Sequence, residues 1–515
     1  MRLVSPEKIA KIDEYAVKKL GIPARELMGR SAEAIADAVR GNISVGSRVL
    51  ILAGGGNNGG DGYAAASLLL EDYKINVIDV FCAGQRSGEG KYYLERCVEL
   101  GCPISSYDNS KETRELFDRA DLIIDAVLGA GAGLPLKSPL DEICRLIKES
   151  RGFKIAVDIP LGTDAFSGEV CEDAPQFDLT VSLCLPKTGV VTYPAKENAG
   201  RLVNCDIGLS GEWIEEIATD EYTLTDSEAA RKFLPERAEN SSKGSFGRLA
   251  VITGSAEYMG AALLSVGGAL RSGVGYLCYF GEMESREIML SKYPEVIFKS
   301  RPRLDKMTEG DKKLLVGEAE KSSAILIGCG CGRSAGLRAL IYALLKKNGA
   351  PLIIDADGIN VLSEARENGL NAIKNSPRVV ILTPHPLEFA RLIGKDVSEV
   401  QAKRLPLARD FAKETGAILV LKGAATVTVG DGRCFVNSSG SSSLAKAGSG
   451  DVLAGVISSL IASCERNLTE LCALGVYAHG RAGDILSGSY STLGVLPSEL
   501  PEAVGVALAE LQRKK

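Results

Sequence analysis

Histidine is nearly absent from this chain. Its 515 residues hold two, His385 and His479, which excludes a histidine-rich zinc centre. Paired-cysteine spacing is missing as well. The 13 cysteines are odd in number and none stands in a CxxC, so no disulfide framework is indicated and a cytoplasmic, reducing setting is expected. Cys329 and Cys331 form the one tight pair; they read as small hydrophobes beside glycines, with metal ligation as the alternative. Long apolar runs are also lacking. The longest, Gly260 to Leu270, is cut by Arg271 and is too short to span a bilayer. The opening MRLVSPEKIAKIDEYAVKKL has no apolar core, so no secretory signal is read there and no membrane partner is expected. Dense Lys/Arg clusters are absent and the net charge is −6, so nucleic acid is not expected as a partner.

What is present is a soluble composition, 45% hydrophobic and 24% charged, in a chain too long for one ordinary core. Short apolar runs alternate with amphipathic stretches. Strands are expected at 48–52, 76–81, 121–126, 154–158 and 179–183, with helices at 6–20, 24–40, 61–70 and 139–148. Strand then helix, repeated, predicts an α/β fold with a parallel sheet covered on both faces. The pattern fades over the polar segment 209–226, where a domain boundary is placed. A second series follows, with strands at 248–253, 276–280, 324–328, 351–355, 379–383 and 417–422, and a hairpin turning at Gly430-Asp431-Gly432.

The most informative stretch is Lys446-Ala447-Gly448-Ser449-Gly450-Asp451-Val452-Leu453-Ala454-Gly455. Glycines before a helix leave backbone N–H groups free to hold a phosphate, and Asp451 beside them is placed to take a proton from a hydroxyl attacking phosphorus. In the first half, strand 48–52 runs into Ala53-Gly54-Gly55-Gly56-Asn57-Asn58-Gly59-Gly60-Asp61-Gly62. Glycines at a strand end admit a ligand close to the backbone, and the two amides and the carboxylate exceed what a turn needs. Asp125 and Asp158 begin two further loops at strand ends; either alone is a helix cap or a site residue, and three such loops together favour a site. Four more clusters follow strands in the second half: Gly254–Ala262, Gly328–Gly332, Thr383-Pro384-His385-Pro386-Leu387-Glu388 and Lys422–Thr426. The prolines around His385 fix its backbone and favour a ligand contact. Lys422 at a strand end is placed to neutralise phosphate or to be solvated. His479, in an apolar helical stretch, reads as a packing residue. Asp355-Ala356-Asp357-Gly358 reads as an acidic turn or a helix cap and is given no role.

The first half resembles the YjeF N-terminal domain, the NAD(P)H-hydrate epimerase family, through GGGNNGGDGYAAASLL (54–69), DAVLGAG (125–131), VDIPLGTDAFSG (157–168) and LPKTGVVTYPAKENAGRLVNCDIG (185–208). The resemblance implies a Rossmann-like domain over 1–215, a bound potassium ion and interconversion of the R and S epimers of the hydrated nicotinamide. It places the substrate on Asn57, Asn58, Gly59, Gly60 and Asp61, and on Gly129, Ala130, Gly131, Ala132, Gly133, Leu134 and Pro135. Asp158 is implied as acid/base and substrate contact. Potassium is implied at Asn58, Asp125 and position 161, where Leu161 replaces the family's serine and offers no side-chain oxygen.

The second half resembles the YjeF C-terminal domain, the ADP- or ATP-dependent NAD(P)H-hydrate dehydratase family of the ribokinase-like superfamily, through LIIDADGIN (352–360), TPHPLEFARL (383–392), KGAAT (422–426) and AGSGDVLAG (447–455). This implies a ribokinase-like domain over 222–515 with Asp451 as catalytic base. Substrate contacts are implied at Ala261, Gly332, His385 and Asp451, and adenine-nucleotide contacts at Lys422, Gly423, Ala424, Ala425, Thr426 and Gly450. Magnesium is implied with ADP or ATP, and homo-oligomerisation follows from the same likeness. Ala425 stands where the family has Asn, and Ser441–Ser443 replace a glycine-containing run. One enzyme with two activities is the leading reading. A ribokinase-class small-molecule kinase with a regulatory first half, and a first half that only binds or scaffolds, are the alternatives.

Overall fold

The computed structural model describes residues 1–81, 88–131, 133–208 and 222–513. The segment read as an interdomain boundary lies mostly outside these residues, and so does Ala132. The chain divides into two compact units, Arg2–Tyr222 and Thr223–Lys515, the latter together with Met1.

The first unit is built on seven strands: β1 (Arg48–Ala53), β2 (Lys74–Asp79), β3 (Ile104–Ser106), β4 (Leu122–Ala126), β5 (Phe153–Val157), β6 (Leu179–Leu183) and β7 (Arg201–Cys205), in the order β3-β2-β1-β4-β5-β6-β7. Every pairing is parallel. The sheet is apolar on both faces. Val49, Ile51 and Ala53 pack into one core with helix Ala24–Arg40, and Leu50 and Leu52 pack into another with helix Leu140–Glu149. Strand order reverses between β1 and β4, which opens a crevice at their C-terminal ends.

The second unit carries a ten-stranded sheet: β8 (Tyr222–Thr225), β9 (Arg248–Ile252), β10 (Tyr276–Gly281), β11 (Ile297–Ser300), β12 (Ala324–Ile327), β13 (Leu352–Ile354), β14 (Val380–Leu382), β15 (Ile418–Leu421), β16 (Val427–Gly430) and β17 (Arg433–Asn437). The order is β11-β10-β9-β12-β13-β14-β15-β16-β17-β8. Strands β9 to β15 pair in parallel and β15-β16-β17 antiparallel, so the expected hairpin is present. The switch in order falls between β9 and β12. Helices Met259–Leu270 and Ser449–Ser463 cover this region and press closely together: a Cβ on Gly455 would lie 2.0 Å from the Ser265 carbonyl oxygen, and one on Gly268 2.4 Å from that of Val452. Small residues in both helices permit that approach.

Two expectations change. The glycine-rich run after β1 is not a long loop, because its helix spans Asn57–Leu69 and takes in Asn57, Asn58, Gly59, Gly60 and Asp61. Close packing explains the glycines: a Cβ on Gly59 would sit 1.9 Å from the Gly54 oxygen, and one on Gly60 2.7 Å from Met28 Cε. Strands β3, β7, β8 and β11 lie in stretches that the sequence reading left without strands. They are three to five residues long and carry mixed burial.

Candidate active sites

In the first unit, three predicted loops leave β1, β4 and β5, which are neighbours in the sheet. Gly54 follows β1, donates its N–H to the Ala126 oxygen at 3.0 Å, and leaves no room for a Cβ, which would lie 1.8 Å from the Val127 oxygen. Asn58, in the first turn of its helix, bridges the other two loops. Its Nδ2 donates to the carbonyls of Leu128 at 2.8 Å and Val157 at 3.1 Å. Its Oδ1 is buried and has no hydrogen-bond partner among the described residues.

Asp125 is fully buried at the end of β4. Its carboxylate accepts from the N–H groups of Leu161 at 2.7 Å and Val127 at 3.1 Å. Burial pushes its ionisation up to about 7 against those two bonds. An orphaned amide oxygen and a buried carboxylate are the donor set that a hard cation takes. The Leu161 side chain is turned into the core with Ile123, Cys144 and Phe177, so only its backbone is left for coordination.

Asp158, just past β5, holds a positive φ of 68°, a conformation that costs a non-glycine residue energy and is typical of sites where geometry is imposed. Its carboxylate is paired with the ammonium of Lys187, 1% exposed, which also donates to the Leu183 carbonyl at 3.0 Å. The sequence reading assigned Lys187 no role, although it lies within a matching stretch. Gly129 stands beside Asn58, and Gly131 and Gly133 face open space. Gly129, Ala130, Gly131, Gly133, Leu134 and Pro135 are half-buried or exposed.

In the second unit, Gly448 caps helix Ser449–Ser463 with φ 99° and makes Asp451 its third residue. The backbone N–H groups of this turn lack intrahelical acceptors and carry the positive end of the helix dipole. Ser449 Oγ lies 3.2 Å from His479 Nε2. His479 is buried, which lowers its proton affinity to about 4; it packs as expected while also fixing the first residue of the turn.

Asp355, given no role from sequence, is the hub of this site. It is 1% exposed at the end of β13. Its Oδ1 accepts from Thr383 Oγ1 at 2.7 Å and from Lys422 Nζ at 2.8 Å, and its Oδ2 from Cys329 Sγ at 3.4 Å. Cys329 Sγ and one oxygen each from Asp355 and Asp451 lie within 4.8 Å of one another. Burial, then the Asp355 charge, raises the ionisation of Asp451 to about 7. Burial opposes the charge on Lys422, yet Asp355 and Glu388 outweigh it and hold the ammonium above the ordinary lysine value. Lys422 reaches the Gly448–Asp451 turn, since a Cβ on Gly450 would be 3.2 Å from its Nζ.

His385 is half-exposed and caps helix Pro386–Ile393. Its Nδ1 accepts from the Glu388 N–H at 3.3 Å, while Nε2 lies 3.4 Å from Glu388 Oε1. Burial, then Lys422, lowers its proton affinity, so the ring is neutral with its proton on Nε2. Ala261 lies against the Gly328–Gly332 loop, where a Cβ on Gly330 would meet it at 2.7 Å, and the Gly332 N–H donates to Asp357 at 2.8 Å. Lys422–Thr426 is gripped from below by the buried Arg404, whose guanidinium donates to the carbonyls of Leu421, Lys422 and Ala424 at 2.7 to 3.2 Å. Ala425 sits in this loop at φ 47°.

Known proteins correspond to both units. Residues 24–189 match the family described as YjeF-related protein N-terminus, and residues 249–505 match the family described as NAD(P)H-hydrate dehydratase. The bifunctional NAD(P)H-hydrate repair enzyme of Thermofilum pendens is 30% identical over 98% of this chain and 96% of its own length. That of Helicobacter pylori is 34% identical over 91% of this chain and 92% of its own. A crystal structure of a ribokinase-like superfamily protein from Enterococcus faecalis superimposes with a TM-score of 0.50 at 25% identity, covering 56% of this chain and 96% of that one. These findings, over two α/β units with separate crevices, establish that the chain belongs to the family of bifunctional NAD(P)H-hydrate repair enzymes.

Proposed function

We propose that residues 1–215 interconvert the R and S epimers of NAD(P)H hydrate, and that residues 222–515 use ADP or ATP to return the S epimer to NAD(P)H. The observation that carries the second step is Asp451, a carboxyl with proton affinity raised to about 7 in the first turn of an anion-holding helix. Hydroxide leaves the hydrated ring poorly, and phosphorylation makes the oxygen a good leaving group. Asp451 accepts the hydroxyl proton as that oxygen attacks the terminal phosphorus, and the bridging P–O bond breaks to release AMP from ADP or ADP from ATP. The N–H groups of the Gly448–Asp451 turn and the Lys422 ammonium balance the charge on the phosphoryl oxygens. Phosphate then departs with a ring proton, which restores the double bond. Ala261, Gly332 and the neutral His385 line the substrate side, and Gly423, Ala424, Ala425, Thr426 and Gly450 the nucleotide side. Magnesium accompanies the nucleotide.

In the first unit, Asp158 moves the proton that epimerisation requires, with Lys187 fixing its carboxylate. Asn57–Asp61 and Gly129–Pro135 seat the dinucleotide. Asn58 Oδ1, Asp125 and the Leu161 backbone supply oxygens to a potassium ion, which would add a fixed positive charge near the substrate. A homo-oligomer in the cytoplasm completes the reading; among the described residues no helix is long and apolar enough to cross a membrane.

The test supplies purified protein with mixed NADH-hydrate epimers, magnesium and either nucleotide, and follows reduced-nicotinamide absorbance. Full recovery is expected. No recovery with either nucleotide refutes the dehydratase reading, and recovery that stops when one epimer is exhausted refutes the epimerase reading.

A further inference from the structure

We propose that Asp355 is a positioning residue of the dehydratase site, acting on the reacting centre through Lys422 and Asp451 rather than by touching the substrate. The proposal rests on the reading of Asp451 as base. Its grounds are geometric. One Asp355 oxygen is held by Thr383 at 2.7 Å and itself holds the Lys422 ammonium at 2.8 Å. That ammonium stands against the Gly450 turn, where the nucleotide's phosphates would be received. The other oxygen receives the Cys329 thiol at 3.4 Å, and Cys329 in turn lies within 4.8 Å of the Asp451 carboxylate. A single carboxylate therefore spaces the cation on the phosphate side from the base on the hydroxyl side.

The charged and titratable groups that bear on Asp451 are Asp355 at the end of β13, Lys422 after β15, Cys329 after β12 and Asp357 at the start of helix Asp357–Ser363. Burial is the larger cause of the raised ionisation of Asp451 and the Asp355 charge adds to it, while Lys422 pulls the other way. Removing the Asp355 charge leaves Glu388 as the carboxylate facing Lys422 and takes one like charge from Asp451, so Asp451 becomes a weaker base and Lys422 loses its hydrogen-bonded anchor. A structural brace alone would lower rate and stability without moving a titration.

The experiment uses the full chain, the S epimer, ADP and magnesium, and records kcat and KM against pH. Asp355→Asn is expected to move the acidic limb of the kcat profile down by about one pH unit and to cut kcat about 10- to 100-fold. Asp355→Glu keeps the charge without the spacing, and is expected to lose rate with the limb near its parental position. Should Asp355→Asn prove insoluble, Thr383→Val decides, because it removes the neutral donor from the same oxygen. A kcat lowered about threefold or more with a raised nucleotide KM supports the proposal, and parental kinetics overturn it. An unmoved limb in Asp355→Asn together with an inactive Asp451→Asn overturns this inference alone. An active Asp451→Asn overturns the base assignment and this inference with it.

Discussion

Replacing Asp451 by Asn should make the second unit more stable at neutral and alkaline pH while abolishing dehydration. A carboxyl that ordinarily ionises at 3.8 and here near 7 binds its proton more tightly in the folded chain than in the unfolded one. Folding therefore favours the protonated form, and stability from this group falls as pH rises from 3.8 through 7. At 1.36 kcal/mol per pH unit the whole effect is about 4 kcal/mol, of which about 2 to 3 kcal/mol is lost between pH 5 and pH 8. Asn has no such titration. Hydrogen exchange of peptides spanning Ser449–Ser463, variant against parent at equal pH, reads the difference directly. The variant's advantage should grow by about 2 to 3 kcal/mol from pH 5 to pH 8. An advantage independent of pH, or a variant less protected than the parent at pH 8, would refute the claim that burial and the Asp355 charge hold this carboxyl near neutrality.

Ala425→Asn should raise stability by about 1 kcal/mol, because Asn tolerates the left-handed conformation that Ala425 adopts at φ 47°; an unchanged melting temperature would argue against strain there. Lys187→Met should cost about 3 to 5 kcal/mol by stranding the buried Asp158 carboxylate, and should halt R-epimer consumption while S-epimer dehydration persists in whatever protein stays folded. Potassium should protect the parent's first unit against thermal unfolding and fail to protect Asn58→Val, which lacks the orphaned Oδ1; equal protection would remove Asn58 from the cation's shell. His479 binds its proton less tightly folded, near 4, than unfolded, near 6.5. Stability should therefore fall as pH drops through that window, by up to about 3 kcal/mol, and His479→Gln should flatten the slope in melting curves.

Apolar runs revealed the central strands because parallel strands buried on both faces are apolar at nearly every position, as β12 shows with four buried residues in four. Short strands with mixed burial, such as β3 and β11, carry no such signal. The helix beginning at Asn57 was hidden because glycine argues locally for a loop, whereas here it answers to Gly54 and Met28, contacts that only the folded chain supplies. Asp355 was ambiguous for a related reason. An aspartate after a strand caps helices as often as it serves a site, and its partner Lys422 is 67 residues away. Asp158 and Lys187, 29 residues apart, are hidden from each other in the same way, because a buried ion pair leaves no mark at the level of spacing.

Arg404 has a consequence of its own. In a trans peptide the carbonyl and the N–H point in opposite directions. By drawing the carbonyls of Leu421, Lys422 and Ala424 inward, the guanidinium turns the amide hydrogens of Gly423 and Ala425 outward. The segment thereby becomes a polarised surface, with its negative dipole ends sunk in the protein and its positive ends offered to whatever arrives. A single buried cation sets the electrical sense of the strip that the proposed function assigns to the nucleotide.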